Sequence, residues 1–117
     1  MLLAANRGQN MNVETNTLLR AILGMTARQA ISVDDLVQAV APKGSGEAQM
    51  EAYNLCDGSR TQGQIAKEVG LDSGNFSRTV SRWADAGIVM KLGDARDATL
   101  LHIYPIPRDR IGKERGR

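Results

Sequence analysis

Apolar residues recur at helical spacing through most of the chain and switch to a strand-like pattern near its C-terminal end. From about Asn12 to Gln29, Leu18, Ile22 and Met25 repeat at i, i+4 and i+7 with Leu19, Ala21 and Leu23 beside them. The helix this predicts is apolar over more than one stripe, so it needs cover either from its own domain or from a second subunit. Ser32 then precedes Val33, Asp34 and Asp35, placing acids in a first helical turn where the dipole favours them, and Leu36, Val37 and Val40 form the apolar side of a short second helix. That helix stops before Pro42, and the run APKGSGE reads as a linker with a subdomain boundary near residues 42–46. Residues 1–11 have no periodicity and include Asn6, Gly8 and Asn10, which predicts a loose arm.

The most informative stretch runs from Thr61 to Val89. A helix from Ala48 to Cys56, carrying Met50, Tyr53 and Leu55, leads into it, with Gly58 as a left-handed stop. Thr61 and Gln64 have the spacing of a capping box, in which hydroxyl and amide satisfy each other's end groups, and Ile65, Ala66 and Val69 form the inner side of the helix they open. Gly70 followed by Leu71 predicts closure through a left-handed residue, and Asp72 or Ser73 caps the next helix. In that helix Phe76, Val80 and Trp83 share one apolar face. The opposite side carries Gly74, Asn75, Ser77, Arg78, Ser81 and Arg82.

After Gly87 the pattern changes. Ile88–Leu92 and Thr99–Tyr104 are β-type runs separated by GDARDA, which predicts a hairpin with one face of its second strand on the core.

Composition narrows what such a chain can do. Its 117 residues suit one domain with an appended segment. The single cysteine, Cys56, rules out an internal disulfide and fits a reducing compartment, so a cytoplasmic location is expected. The opening MLLAAN is too short for a signal peptide, and Arg20 and Arg28 interrupt the other apolar candidate for a membrane span, so no membrane partner is expected. Net charge is +2, but residues 1–107 hold ten Lys or Arg against eleven acids, whereas 108–117 hold five against two. The run PRDRIGKERGR is too polar to pack and predicts a basic tail, disordered in isolation. His102 is the only histidine, no Gly-rich phosphate loop follows a strand, and no acid pair has a metal-binding companion, so neither an enzyme nor a metal or other cofactor is expected.

The order helix, capped helix, turn, helix, hairpin resembles the winged helix-turn-helix of bacterial transcription regulators, closest to the MarR type with the ArsR type next. The residues carrying it are DGSRTQGQIAKEVGLDSGNFSRTVSRWADAGIV, and the resemblance covers residues 48–105. It departs from the MarR pattern where a basic tail stands in place of a C-terminal partner helix, and from metal-sensing ArsR types in having only Cys56 and His102 as soft ligands.

The fold class so predicted is mainly α with a small β-hairpin: an arm at 1–11, a helical extension and linker at 12–46, a winged helix-turn-helix at 47–106 and a tail at 107–117. The resemblance implies a sequence-specific regulator that binds double-stranded DNA, reading the major groove with helix 73–86 assisted by a wing at 88–105. A homodimer through residues 12–41 is expected. Ser73, Gly74, Asn75, Ser77, Arg78, Ser81 and Arg82 would face the groove. Thr61 and Gln62 would meet a phosphate at a helix start, Lys91 and Arg96 would serve the wing, and Arg108 and Arg110 would add sequence-independent phosphate contacts. The rival reading is a winged-helix module that docks on a protein within a larger complex.

Overall fold

In a computed structural model of the chain, residues 2–42, 46–94 and 97–115 are described, with side chains described over 12–42, 46–94 and 97–111. The architecture is mainly helical with a small three-stranded antiparallel sheet. Helices α1 (Leu2–Ala30), α2 (Val33–Val40) and α3 (Glu47–Asn54) precede strand β1 (Asp57–Thr61). Then follow α4 (Gln62–Val69), α5 (Ser73–Asp85), β2 (Val89–Leu92), β3 (Thr99–His102) and α6 (Arg108–Arg115).

Local signals set the helix ends. Ser32 caps α2 by accepting from the Asp35 amide at 3.1 Å. The capping box of α4 is complete: Thr61 Oγ1 accepts from the Gln64 amide at 3.2 Å, and Gln64 Oε1 accepts from the Thr61 amide at 2.8 Å. Its other end closes on Gly70 at φ +78, where both the Gly70 and Leu71 amides donate to the Ala66 carbonyl. Asp72 then caps α5 through the Asn75 amide at 2.9 Å.

Among the described residues the core runs from Ala27 of α1 to Ile111 of α6. Trp83, Tyr53 and Phe76 are fully buried and meet edge to face, with ring centroids 5.6 Å apart for Tyr53–Trp83 and 5.7 Å for Phe76–Trp83. Each polar handle finds a partner: Trp83 Nε1 donates to the Val40 carbonyl at 3.2 Å and the Tyr53 hydroxyl to the Tyr104 carbonyl at 2.8 Å. Leu36 and Val40 of α2 belong to the same cluster as Ile65, Val80 and Leu100, so the helices on either side of residues 42–46 share one core.

Four features differ from the sequence reading. The hairpin is the larger part of a sheet ordered β1-β3-β2, in which β2 and β3 pair through Val89↔His102 to Leu92↔Thr99, and β1 lies on the other edge of β3. Its core-facing residue on β3 is Leu100. Second, α3 ends at Asn54 with Leu55 still in a helical conformation; Gly58 does have φ +93, but within β1, where a Cβ would lie 2.8 Å from the Arg20 guanidinium. Third, residues 2–11 continue α1 instead of forming an arm. A lone Gly8 costs ~1 kcal/mol relative to Ala, too little to end a helix that runs on for two further turns. Fourth, the tail is not structureless: Arg108–Arg115 is helical, and Ile111 is buried in the core. One apolar side chain was enough to anchor a turn that composition alone describes as solvated.

Candidate nucleic-acid interface

Helix α5 is anchored on one side and open on the other. Phe76, Val80 and Trp83 are buried, while Ser73, Gly74, Asn75, Ser77, Arg78 and Ser81 are exposed. The split follows from the 3.6-residue period, which puts the three apolar residues on one stripe and the small polar ones on its back. Asn75 Oδ1 accepts a hydrogen bond from the Arg78 guanidinium one turn on. The amide and guanidinium that could read base edges are therefore held side by side, each supporting the other's orientation.

Arg82 does not belong with them. Its guanidinium turns away from the open face and donates to the carbonyls of Ala39, at 2.6 Å, and Val40, at 3.3 Å. These carbonyls at the C-terminal end of α2 lack a partner inside the helix, Val40 O taking the Trp83 Nε1 bond as well, and the helix dipole there also favours a cation. Although it stands one turn after Arg78, Arg82 braces α5 against α2 and is removed from the groove-facing set.

The remaining expected residues scatter by role. Thr61 spends its hydroxyl on the capping box, and Gln62 beside it is half-buried. Lys91 is exposed on β2, and Arg96 lies outside the described residues. Arg108 forms a fork with Glu51 at 3.0 and 3.2 Å, and Arg110 pairs with Asp34 at 2.7 Å. Both tail cations are thus matched by acids of their own chain, which weakens their claim on phosphates.

Three groups that sequence reading passed over complete the surroundings. Arg60 bridges Asp57 at 3.1 Å and Glu68 at 3.0 Å, tying β1 to α4. Some desolvation opposes it, but the hydrogen bonds from Ser59 and the Arg60 guanidinium hold the Asp57 carboxyl below its ordinary range. Arg20 and Arg28 flank a shallow cavity of about 210 Å³ between α1 and β3, lined also by Leu23, Ile103 and Tyr104. The Arg28 guanidinium lies over the Tyr104 ring, 4.8 Å from its centroid. Apart from Asp57, three residues before Arg60, each partner is at least eight residues away, so spacing in the sequence gave no sign of these contacts.

Burial pushes the Cys56 thiol up to about 12, and its Sγ donates to the Ala52 carbonyl, so it packs as a small apolar residue. Burial also lowers His102 below its ordinary value, and its Nδ1 has no hydrogen-bond partner. Among the described residues no group of three His, Cys, Asp or Glu could hold a metal ion, and no helix is long and apolar enough to cross a membrane. No family model matches the chain, and no curated protein or solved structure shows significant similarity to it.

Proposed function

We propose that the protein is a sequence-specific double-stranded DNA-binding transcription regulator of winged helix-turn-helix type. In this reading α5 lies in the major groove, the β2–β3 hairpin acts as the wing beside it, and the protein works as a homodimer. The observation that carries the reading is the open back of α5, where Ser73, Gly74 and Ser77 leave room for close approach and Asn75 and Arg78 present a paired amide and guanidinium. Asn suits the N6/N7 edge of adenine and Arg the O6/N7 edge of guanine, each good bidentate contact being worth about 1–3 kcal/mol of discrimination. Lys91, exposed on β2, would meet the backbone from the wing.

Selection of bound sites from a pool of random duplexes, at a stated salt concentration, tests this. The reading predicts enrichment of a defined motif; recovery of unenriched sequence after repeated rounds would reject it, because specificity separates a regulator from an adventitious basic protein.

A further inference from the structure

Four large apolar side chains of α1 are left in solvent on one face: Leu18 is 63% exposed, Leu19 56%, Ile22 58% and Met25 67%. They are not scattered. Thr15, Leu18, Ile22, Met25 and Gln29 follow one another at alternating intervals of three and four, the repeat of a two-stranded coiled-coil seam. In heptad terms Leu18 and Met25 are d positions and Thr15, Ile22 and Gln29 are a positions. The molecule's own body attaches elsewhere on the helix: Gly24 and Ala27 are buried against it, Leu23 is half-buried, and Arg28 stacks on Tyr104. The seam therefore faces away from the domain, and the residues from Asn12 to Ile22 are exposed throughout.

We infer that α1 pairs antiparallel with α1 of a second copy, Ile22 of each packing on Leu18 of the other. The occupant and its direction follow from what flanks the seam. When two such helices run antiparallel, e positions meet e and g positions meet g; when parallel, e meets g. With Ile22 opposite Leu18, the antiparallel arrangement sets Leu19, an e position, against Leu19 of the second copy. It also sets Glu14, a g position, opposite Arg28 of that copy, which stays exposed while it stacks on its own Tyr104. Among the described residues Glu14 has no ion-pair partner in its own chain. The parallel arrangement would instead set Leu19 against the Glu14 carboxylate twice over. Antiparallel pairing covers the exposed leucines, isoleucine and methionine together and places opposite charges at the rim. Over Thr15 to Gln29 the seam is ~21 Å long, so it supplies a tether between two domains whose own cores are already closed. This holds whether or not α5 reads DNA.

Sedimentation velocity of the full chain at about 100 µM, a concentration at which a dimer of micromolar dissociation constant is assembled, gives the first readout. The wild type should run at twice the mass of one chain. Ile22→Glu and Leu18→Glu should run as monomers with unchanged circular dichroism, since both positions are exposed in the single chain. Val13→Glu is the control: Val13 is 65% exposed but lies on the stripe shared with Ala27, off the seam, and should leave the dimer intact. Direction is read by oxidation. A mixture of Thr15→Cys and Met25→Cys chains should form a disulfide-linked pair, whereas Thr15→Cys alone should not link to itself; Cys56 is buried and does not compete. A monomeric wild type, equal effects of Val13→Glu and Ile22→Glu, or self-linking of Thr15→Cys would each overturn the inference. No DNA enters these assays, so their outcome is independent of the selection experiment.

Discussion

Two arginines one helical turn apart in α5 should behave as opposites. Arg82 donates to two carbonyls at the end of α2, at 2.6 and 3.3 Å, from a half-buried position. Hydrogen bonds from a charged group contribute about 1.5–3 kcal/mol each, but Val40 O keeps its bond from Trp83 and Ala39 O can recruit water once the side chain is gone. Arg82→Ala should therefore cost ~1–3 kcal/mol overall, nearer one good charged bond than two. Arg78 is exposed and its described partner is the Asn75 side chain, so Arg78→Ala should stay within ~0.5 kcal/mol of the parent. Urea unfolding followed by Trp83 fluorescence measures both, with a common slope confirming that midpoints can be compared. Equal destabilisation by the two substitutions, or a neutral Arg82→Ala, would show that the brace between α2 and α5 does not exist as described.

Trp83→Ala removes the ring on which Tyr53 and Phe76 both rest and should cost ~3–5 kcal/mol, a large share of the stability of a domain this size; thermal unfolding by circular dichroism checks it. The thiol of Cys56, fully buried and raised to about 12, should resist a thiol-reactive disulfide reagent at pH 8 in the folded protein and react at once in denaturant; rapid native-state labelling would contradict its packing role. His102 has a folded pKa below its unfolded value of 6.5, so the unfolded chain takes up a proton that the folded chain refuses. Stability should fall as pH drops from 7.5 through 6.5, and His102→Leu should flatten that dependence in urea titrations at a series of pH values.

What could be read from the sequence divides along the range of the forces involved. The capping box at Thr61 and Gln64, the left-handed closure at Gly70 with Leu71, and the Asp72 cap are written in residues three or four apart, and the structure has all of them. The apolar stripe of α5 was equally legible, because a helix repeats its faces over a single window. Strand β1 was not: DGSRT contains no β-favouring run, and its extended form comes from pairing with β3 some forty residues later. The same holds for Arg82, whose acceptors lie 43 and 42 residues back and which sequence spacing alone assigns to the wrong face. Helix α6 hid behind a polar composition until Ile111 found the core. The wide apolar face of α1 was visible, but not that the body would use the side carrying Leu23, Gly24 and Ala27 and leave Leu18 and Leu19 in water.

In the proposed function, the open back of α5 distinguishes one DNA sequence from another through Asn75 and Arg78. Fluorescence anisotropy on a selected duplex and a scrambled one, at fixed salt, gives the specificity ratio for the wild type and for Arg78→Ala and Asn75→Ala. Each substitution should lower that ratio by roughly 5- to 150-fold, the worth of one bidentate base contact, while the unfolding midpoint stays in place. Variants that keep the wild-type ratio, with the fold intact, would show that this face of α5 does not read DNA.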